Sequence, residues 1–342
     1  NTALIKAAQL EHHDVIQALL VAGASVGHTN LRHQTALFFA VHYDDIESVM
    51  TSMLEVDGVS IDVRGINGLS TLEKAVKDGN FEAVKTLLKH GASVTEIYRV
   101  GNTILHWSVK GRFANPLILR QLIEYGAPVN RSNNLKLSPL HVSAEAGNSD
   151  TTAILLEAGA SSADSIDAKC DPLGRTAIHL AVAAGSVETV KLLVRHGADV
   201  HAIDRKGLHA LHMAISHGHL DVMEYLLLKT KSGGRMSADY LSWHTRPSAL
   251  HFAAFHENTD ALKSLTRTHN ASVNIRNAMG STPLHVAASN IEVFSLAMLL
   301  QAGAKVDVAD DDGCTPIHIA VGQRSCETAR ALLSRGASAT IQ

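Results

Sequence analysis

Residues 176–198 read TAIHLAVAAGSVETVKLLVRHGA, and this stretch decides the fold. Thr176 suits a helix N-cap, because its hydroxyl can take one of the backbone N–H groups that a helix start leaves unpaired. A short helix follows and ends near Gly185, where a left-handed residue can turn the chain. A second helix is predicted from about Val187 to Arg195, with Val190, Leu193 and Val194 on one face. Gly197 stops it. The next residues, DVHAIDRKGLHA, are polar and carry a glycine, so they read as a turn that reaches outward.

Working outward, the opening phrase recurs along the whole chain. It begins at Thr2, Thr35, Ser70, Thr103, Ser138, Thr176, His209, Ser248, Thr282 and Thr315, at spacings of 33 to 39 residues. In the copies TPLHVA and TPIHIA, Pro283 and Pro316 fall at the first helical position, where a missing N–H costs nothing. Leu284 and Ala287 then share an inward face. The closing phrase, an apolar pair followed by two spacers and Gly-Ala, ends at Ala24, Ala92, Ala127, Ala160, Ala198, Ala304 and Ala337. Two phrases locked to one period make a strong signal. A single pair of short helices cannot bury its apolar face, whereas stacked pairs can, each touching only its neighbours. With helices ~8–10 Å apart, ten pairs would form a curved rod on the order of 100 Å long.

These TPLHxA and LLxxGA phrases resemble the ankyrin repeat family over nearly all 342 residues. The resemblance implies an all-α solenoid of helix pairs joined by protruding β-hairpin-like loops, with a concave binding surface and a role in protein interaction. It also implies that the repeated histidines His106, His141, His179, His212, His251, His285 and His318 are structural and bridge neighbouring loops. In ankyrin-like proteins an Asn after the GAxV phrase can be hydroxylated by a cellular oxygenase. Asn130 fits that place best and Asn274 in part.

Composition narrows the alternatives. Apolar residues make up 46% and aromatics only 4%, which favours closely packed helices over a β-sandwich. Net charge is −3 with no long basic run, so a phosphate-neutralising surface is not expected and nucleic acid is an unfavoured partner. Cys170, Cys314 and Cys326 form no CxxC pair, and an odd count suits a reducing, intracellular setting, cytoplasm or nucleus. No run of 18 or more apolar residues is present, so direct membrane insertion is not expected. No cofactor or metal is expected either. The repeated His lie one repeat apart and cannot converge on one ion, and no phosphate loop, HExxH or GxSxG occurs. The chain is therefore expected not to be an enzyme, and to be monomeric as an isolated fragment.

The period breaks in several places. VDGVSI replaces Gly-Ala at 56–61, GRFANP intrudes at 111–116, Ile291 stands where a glycine usually falls, and the loop Gly159–Thr176 is long. The largest break is 229–248, which holds Gly233-Gly234, Tyr240 and Trp243. We therefore expect repeats one to seven over 1–228, an irregular insertion or hinge over 229–248, and repeats eight to ten over 249–342. Neither terminal repeat has a polar outer face, so the natural protein is expected to continue on at least one side.

A binding surface should lie on the concave side and loop tips, where side chains are not needed for stacking. The candidates are Phe39, His42, Tyr43, Trp107, Lys110, Arg112, Phe255 and His256 along inner helices, and Tyr240 and Trp243 in the break. On the loops they are Arg131, Lys136, His201, Arg205, Lys206 and Arg276. Phe39 and Trp107 read equally as core. The expected function is a non-catalytic scaffold or adaptor for one or more proteins. The alternatives are a regulatory or targeting array of a larger enzyme, channel or signalling protein and, more weakly, a nucleic-acid or nucleotide sensor.

Overall fold

The computed structural model describes residues 1–340 other than 44, 57, 111–113, 229–236, 240, 243–245 and 291. It parts into two compact units, residues 1–165 and 166–342. The boundary falls in the long loop that the sequence marks at Gly159–Thr176. The expected break at 229–248 lies mostly outside the described residues.

Each unit contains five helix pairs. In the first unit the inner helices are Ala3–Gln9, Ala36–Phe39, Thr71–Lys77, Ile104–Ser108 and Pro139–Glu145. Their outer partners are His13–Val21, Ile46–Leu54, Phe81–Lys89, Pro116–Glu124 and Ser149–Leu155. In the second unit the pairs are Ala177–Ala183 with Val187–Arg195, Ala210–Ser216 with Leu220–Leu228 and Ala249–Phe255 with Thr259–Arg267. Pro283–Ala288 with Phe294–Gln301 and Pro316–Gly322 with Cys326–Ser334 complete it. Helices this short are marginal alone, so packing must hold them. The inner helices can approach closely because they present alanine; Ala75, Ala144, Ala181, Ala214 and Ala253 are all fully buried. The outer helices close the core with Leu87, Leu122, Leu193, Leu226 and Leu262, also fully buried.

The turns obey the same logic. After the inner helices Gly185 and Gly218 adopt φ of +71° and +76°, which the absent Cβ permits. Protruding fingers join the pairs. Most open on an Asx turn, in which one side-chain oxygen collects two backbone N–H groups. Asp204, for example, accepts from Lys206 at 2.8 Å and Leu208 at 2.9 Å. Asn30, Asn133, Asp171, Asn277 and Asp310 do the same in their fingers. Strand pairing among the described residues is limited to isolated bridges, Cys170 with Arg175 and Ile203 with His209.

Candidate functional site

The repeated histidines sit three residues after each N-cap, and their roles follow from who donates. The backbone N–H of Ser248 points to His251 Nδ1 at 3.1 Å, and an N–H can only donate. Nδ1 therefore carries the lone pair and Nε2 carries the proton, which it donates to the Ser281 carbonyl of the next repeat at 2.9 Å. The Ser248 hydroxyl also lies 2.9 Å from Nδ1 and donates to it. His106, His179 and His285 repeat this clasp onto the carbonyls of Leu137, Leu208 and Cys314. His141 and His318 make the same contact to their own N-caps. Burial disfavours the imidazolium and pushes His106, His179 and His285 below their ordinary values, and His251 down to about 4.

Repeat three departs from this. Its clasp position holds Glu73, buried and paired to Lys77 at 2.7 Å. Burial raises its pKa, and Lys77 offsets the rise in part. Lys77 Nζ also stands 3.6 Å from the Trp107 ring centroid, with Lys110 Nζ at 5.6 Å. Lys74 reaches the Phe38 ring at 5.6 Å. Trp107 and Phe39 are both half-buried, between the core and surface readings that the sequence allows. His42 is exposed and lies 3.3 Å from Asp78.

Tyr43 must be corrected. It is buried, and its hydroxyl donates to the carbonyls of Ala7 and Ala8 at 3.2 and 3.0 Å, so it locks repeat two to repeat one. Burial pushes its phenol up to about 12.

In the second unit a series of rings crosses the inner helices. His212 and Phe252 stack at 4.7 Å, Phe252 and His256 lie 6.3 Å apart, and Phe255 meets His256 edge-on at 5.1 Å. Phe255 is 63% exposed beside an apolar cavity of about 180 Å³, lined by Pro247, His251, Phe252, Asn277 and Val286. Burial, then the neighbouring His217, lowers the pKa of His256.

On the fingers, Arg131, Lys136, Arg205, Lys206 and Arg276 are exposed and His201 is half-buried. Arg205 donates to the Pro172 carbonyl at 2.9 Å, and Arg276 pairs with Asp311 at 3.1 Å. Asn130 is exposed and its amide donates to the Gly159 carbonyl at 3.1 Å. Asn274 accepts the Lys305 N–H at 2.8 Å, as Asp167 does from Asp199. Arg112, Tyr240 and Trp243 lie outside the described residues.

The structure thus gathers Trp107 and Lys110 with Lys77, and Phe255 and His256 with Phe252, but scatters the finger cations. Sequence reasoning missed Lys74, Lys77 and Phe252. Lysines one and four residues past the acid Glu73, one toward Phe38 of the preceding repeat and one toward Trp107 of the next, were the available signal. Among the described residues no three His, Cys, Asp or Glu side chains converge as metal ligands would. No described helix is long and apolar enough to cross a membrane.

Comparison with known proteins agrees with this geometry. A family profile for ankyrin repeats in three copies matches residues 4–98, 162–236 and 250–342, and a single-repeat profile matches 100–134. The Notch-regulated ankyrin repeat-containing protein A of Danio rerio is 48% identical over 66 residues, 19% of this chain and 59% of that protein. The human protein of that description is 48% identical over 60 residues, 18% of this chain and 53% of its own length. The nuclear factor NF-kappa-B p105 subunit of Gallus gallus is 29% identical over 211 residues, 60% of this chain and 20% of that protein. The matched stretches therefore span between a fifth and three-fifths of these relatives. Repeats of this kind are generally protein-interaction modules, and the chain belongs to the ankyrin repeat family.

Proposed function

We propose that the chain is a non-catalytic scaffold or adaptor that holds a protein partner on its inner-helix faces and finger tips. The observation that carries this is Phe255. This ring is left 63% exposed next to an apolar cavity, at the end of a series of ring contacts, so most of its apolar surface is free for a partner. Exposed aromatics of this kind are typical interface anchors. The test is affinity capture with the full chain and with Phe255→Ser, checking each for unchanged circular dichroism. At least one stoichiometric partner should be held by the first and lost by the second. Capture of the same partners by both would overturn the reading.

A second reading is favoured by the p105 relative, in which the matched stretch is a small part of a longer protein. The array would then regulate or target other domains of one polypeptide. In either case we place it inside the cell, in cytoplasm or nucleus. Asn130, exposed at its finger, is the better position for hydroxylation. Intact-mass analysis of chain from its natural host should then show one added oxygen, absent in Asn130→Ala.

A further inference from the structure

In each finger of the first unit two residues stand at the tip, between the residue that opens the turn and one of positive φ. In the first unit these pairs are Leu31-Arg32, Ile66-Asn67, Arg99-Val100 and Asn134-Leu135. His33, Gly68, Gly101 and Lys136 follow them at φ of +56° to +75°. Every one of these tips therefore carries one aliphatic side chain. Leu31 is 93% exposed, Ile66 62%, Val100 53% and Leu135 53%. Scattered single apolar residues on a surface need no explanation, but one on each of four consecutive tips, at the first tip position in two and the second in two, does.

The row is held in place. Ile66 N–H donates to the Arg32 carbonyl at 2.8 Å and Asn134 N–H to the Val100 carbonyl at 3.0 Å, joining the first finger to the second and the third to the fourth, while the Arg64 side chain donates across the middle junction to the Ile97 carbonyl at 3.2 Å. Cations outnumber carboxylates on the same fingers, with Asp62 and Glu96 set against Arg32, Arg64, Arg99, Arg131 and Lys136. Arg64 is paired with Glu96, and the Asp62 carboxylate accepts the Ser93 N–H at 3.1 Å. Arg32, Arg99, Arg131 and Lys136 are exposed and belong to none of the ion pairs found among the described residues.

Building on the protein-binding reading above, we infer that the finger edge of residues 1–165 docks an extended, acidic peptide segment of a protein partner that bears aliphatic side chains at a regular spacing. Repeats stacked ~10 Å apart would meet an extended chain, rising ~3.3 Å per residue, at roughly every third position. The aliphatic tips take the apolar residues and the four cations take the acids between them. A polyanion alone would have no use for the aliphatic row, and the tips offer no aromatic platform on which bases could stack.

The probe is a fluorescein-labelled peptide of Ile-Glu-Thr triplets, followed by anisotropy with the full chain. The chain should bind it, and should bind the Ile-Lys-Thr counterpart at least about tenfold more weakly. A variant carrying Leu31→Ser, Ile66→Ser, Val100→Ser and Leu135→Ser should lose about tenfold or more in affinity. A variant carrying Arg32→Glu, Arg99→Glu and Lys136→Glu should lose as much. All seven positions are exposed, so both variants should keep their helical circular dichroism. The inference is overturned if the chain does not bind the acidic peptide, or if the serine variant binds it as tightly. Tighter binding of a single-stranded oligonucleotide than of the peptide would also overturn it. A natural partner lost with Phe255→Ser but indifferent to both finger variants would leave the protein-binding reading standing and remove this one.

Discussion

In the second unit the third residue of every inner helix is histidine: His179, His212, His251, His285 and His318. In the first unit the same position holds Ile5, Phe38, Glu73, His106 and His141. Both units nevertheless build five helix pairs with a continuous alanine and leucine core. The difference teaches that the clasp is not what specifies the helix pair. Thr2 and Ser70 cap their helices without a histidine, accepting from Ile5 and Glu73 N–H at 3.2 and 3.1 Å. The histidine adds the link from one repeat to the next, and with it a dependence on pH.

The largest effect should come from the feature the two units share. Leu87→Ala and Leu193→Ala each empty a fully buried site, and each should cost about 2–5 kcal/mol. Urea unfolding measures this, with amide hydrogen exchange of the outer helices Phe81–Lys89 and Val187–Arg195 reporting the first and second units. Similar losses in both would show that the core is equivalent despite the unequal clasps. A loss confined to one unit would break the comparison there.

Next comes the clasp itself. His251→Ala leaves the Ser248 N–H and the Ser281 carbonyl without their ring partner in a buried site, which should cost about 1–3 kcal/mol. Exposed His33, which clasps nothing, should tolerate the same change in the same unfolding assay.

The pH response should separate the units. An imidazole whose folded pKa is depressed binds fewer protons folded than unfolded below the ordinary value of 6.5. Stability is then full above about pH 6.5 and falls as pH drops toward about 4 for His251, by roughly 1.4 kcal/mol for each pH unit between those limits. His179, His209 and His285 act in the same direction. Glu73 acts in the opposite one. Its raised pKa means the folded state holds the proton more tightly, so its contribution falls as pH rises through the folded value. The second unit should therefore lose more stability between pH 7 and pH 5, read by amide exchange in Val187–Arg195. Equal losses from amide exchange in Phe81–Lys89 would contradict this.

The smallest expected change is Glu73→His, which should bring the first unit's pH slope toward that of the second while altering neutral stability by about 1 kcal/mol.

Most of the fold was legible in the sequence because it repeats. Thr176, Gly185, Leu193 and Gly197 each have one physical reason to be where they are, and ten copies made that reason hard to mistake. The site was less legible because binding residues have no period. Tyr43 looked like a surface aromatic by its place beyond the inner helix, yet a three-residue helical turn at Ala40–His42 swings it into the core. Lys77 looked like an ordinary solvated lysine, because its two partners, Glu73 and the Trp107 ring, belong to different repeats. The aliphatic tips were visible one at a time and became a row only when the fingers were stacked.

The clasp also gives the chain a direction. The rings of His106, His179, His251 and His285 each take their hydrogen bonds from their own cap and donate their one proton to the repeat that follows. Losing one of these histidines therefore bares a carbonyl in the following repeat and the cap N–H of its own, and no group in the repeat before. Such a proton, sealed between imidazole and carbonyl, exchanges slowly with water. In an NMR spectrum each clasped ring should show its own protected Nε2–H resonance, and the order in which these vanish on warming would record, joint by joint, where the array comes apart first.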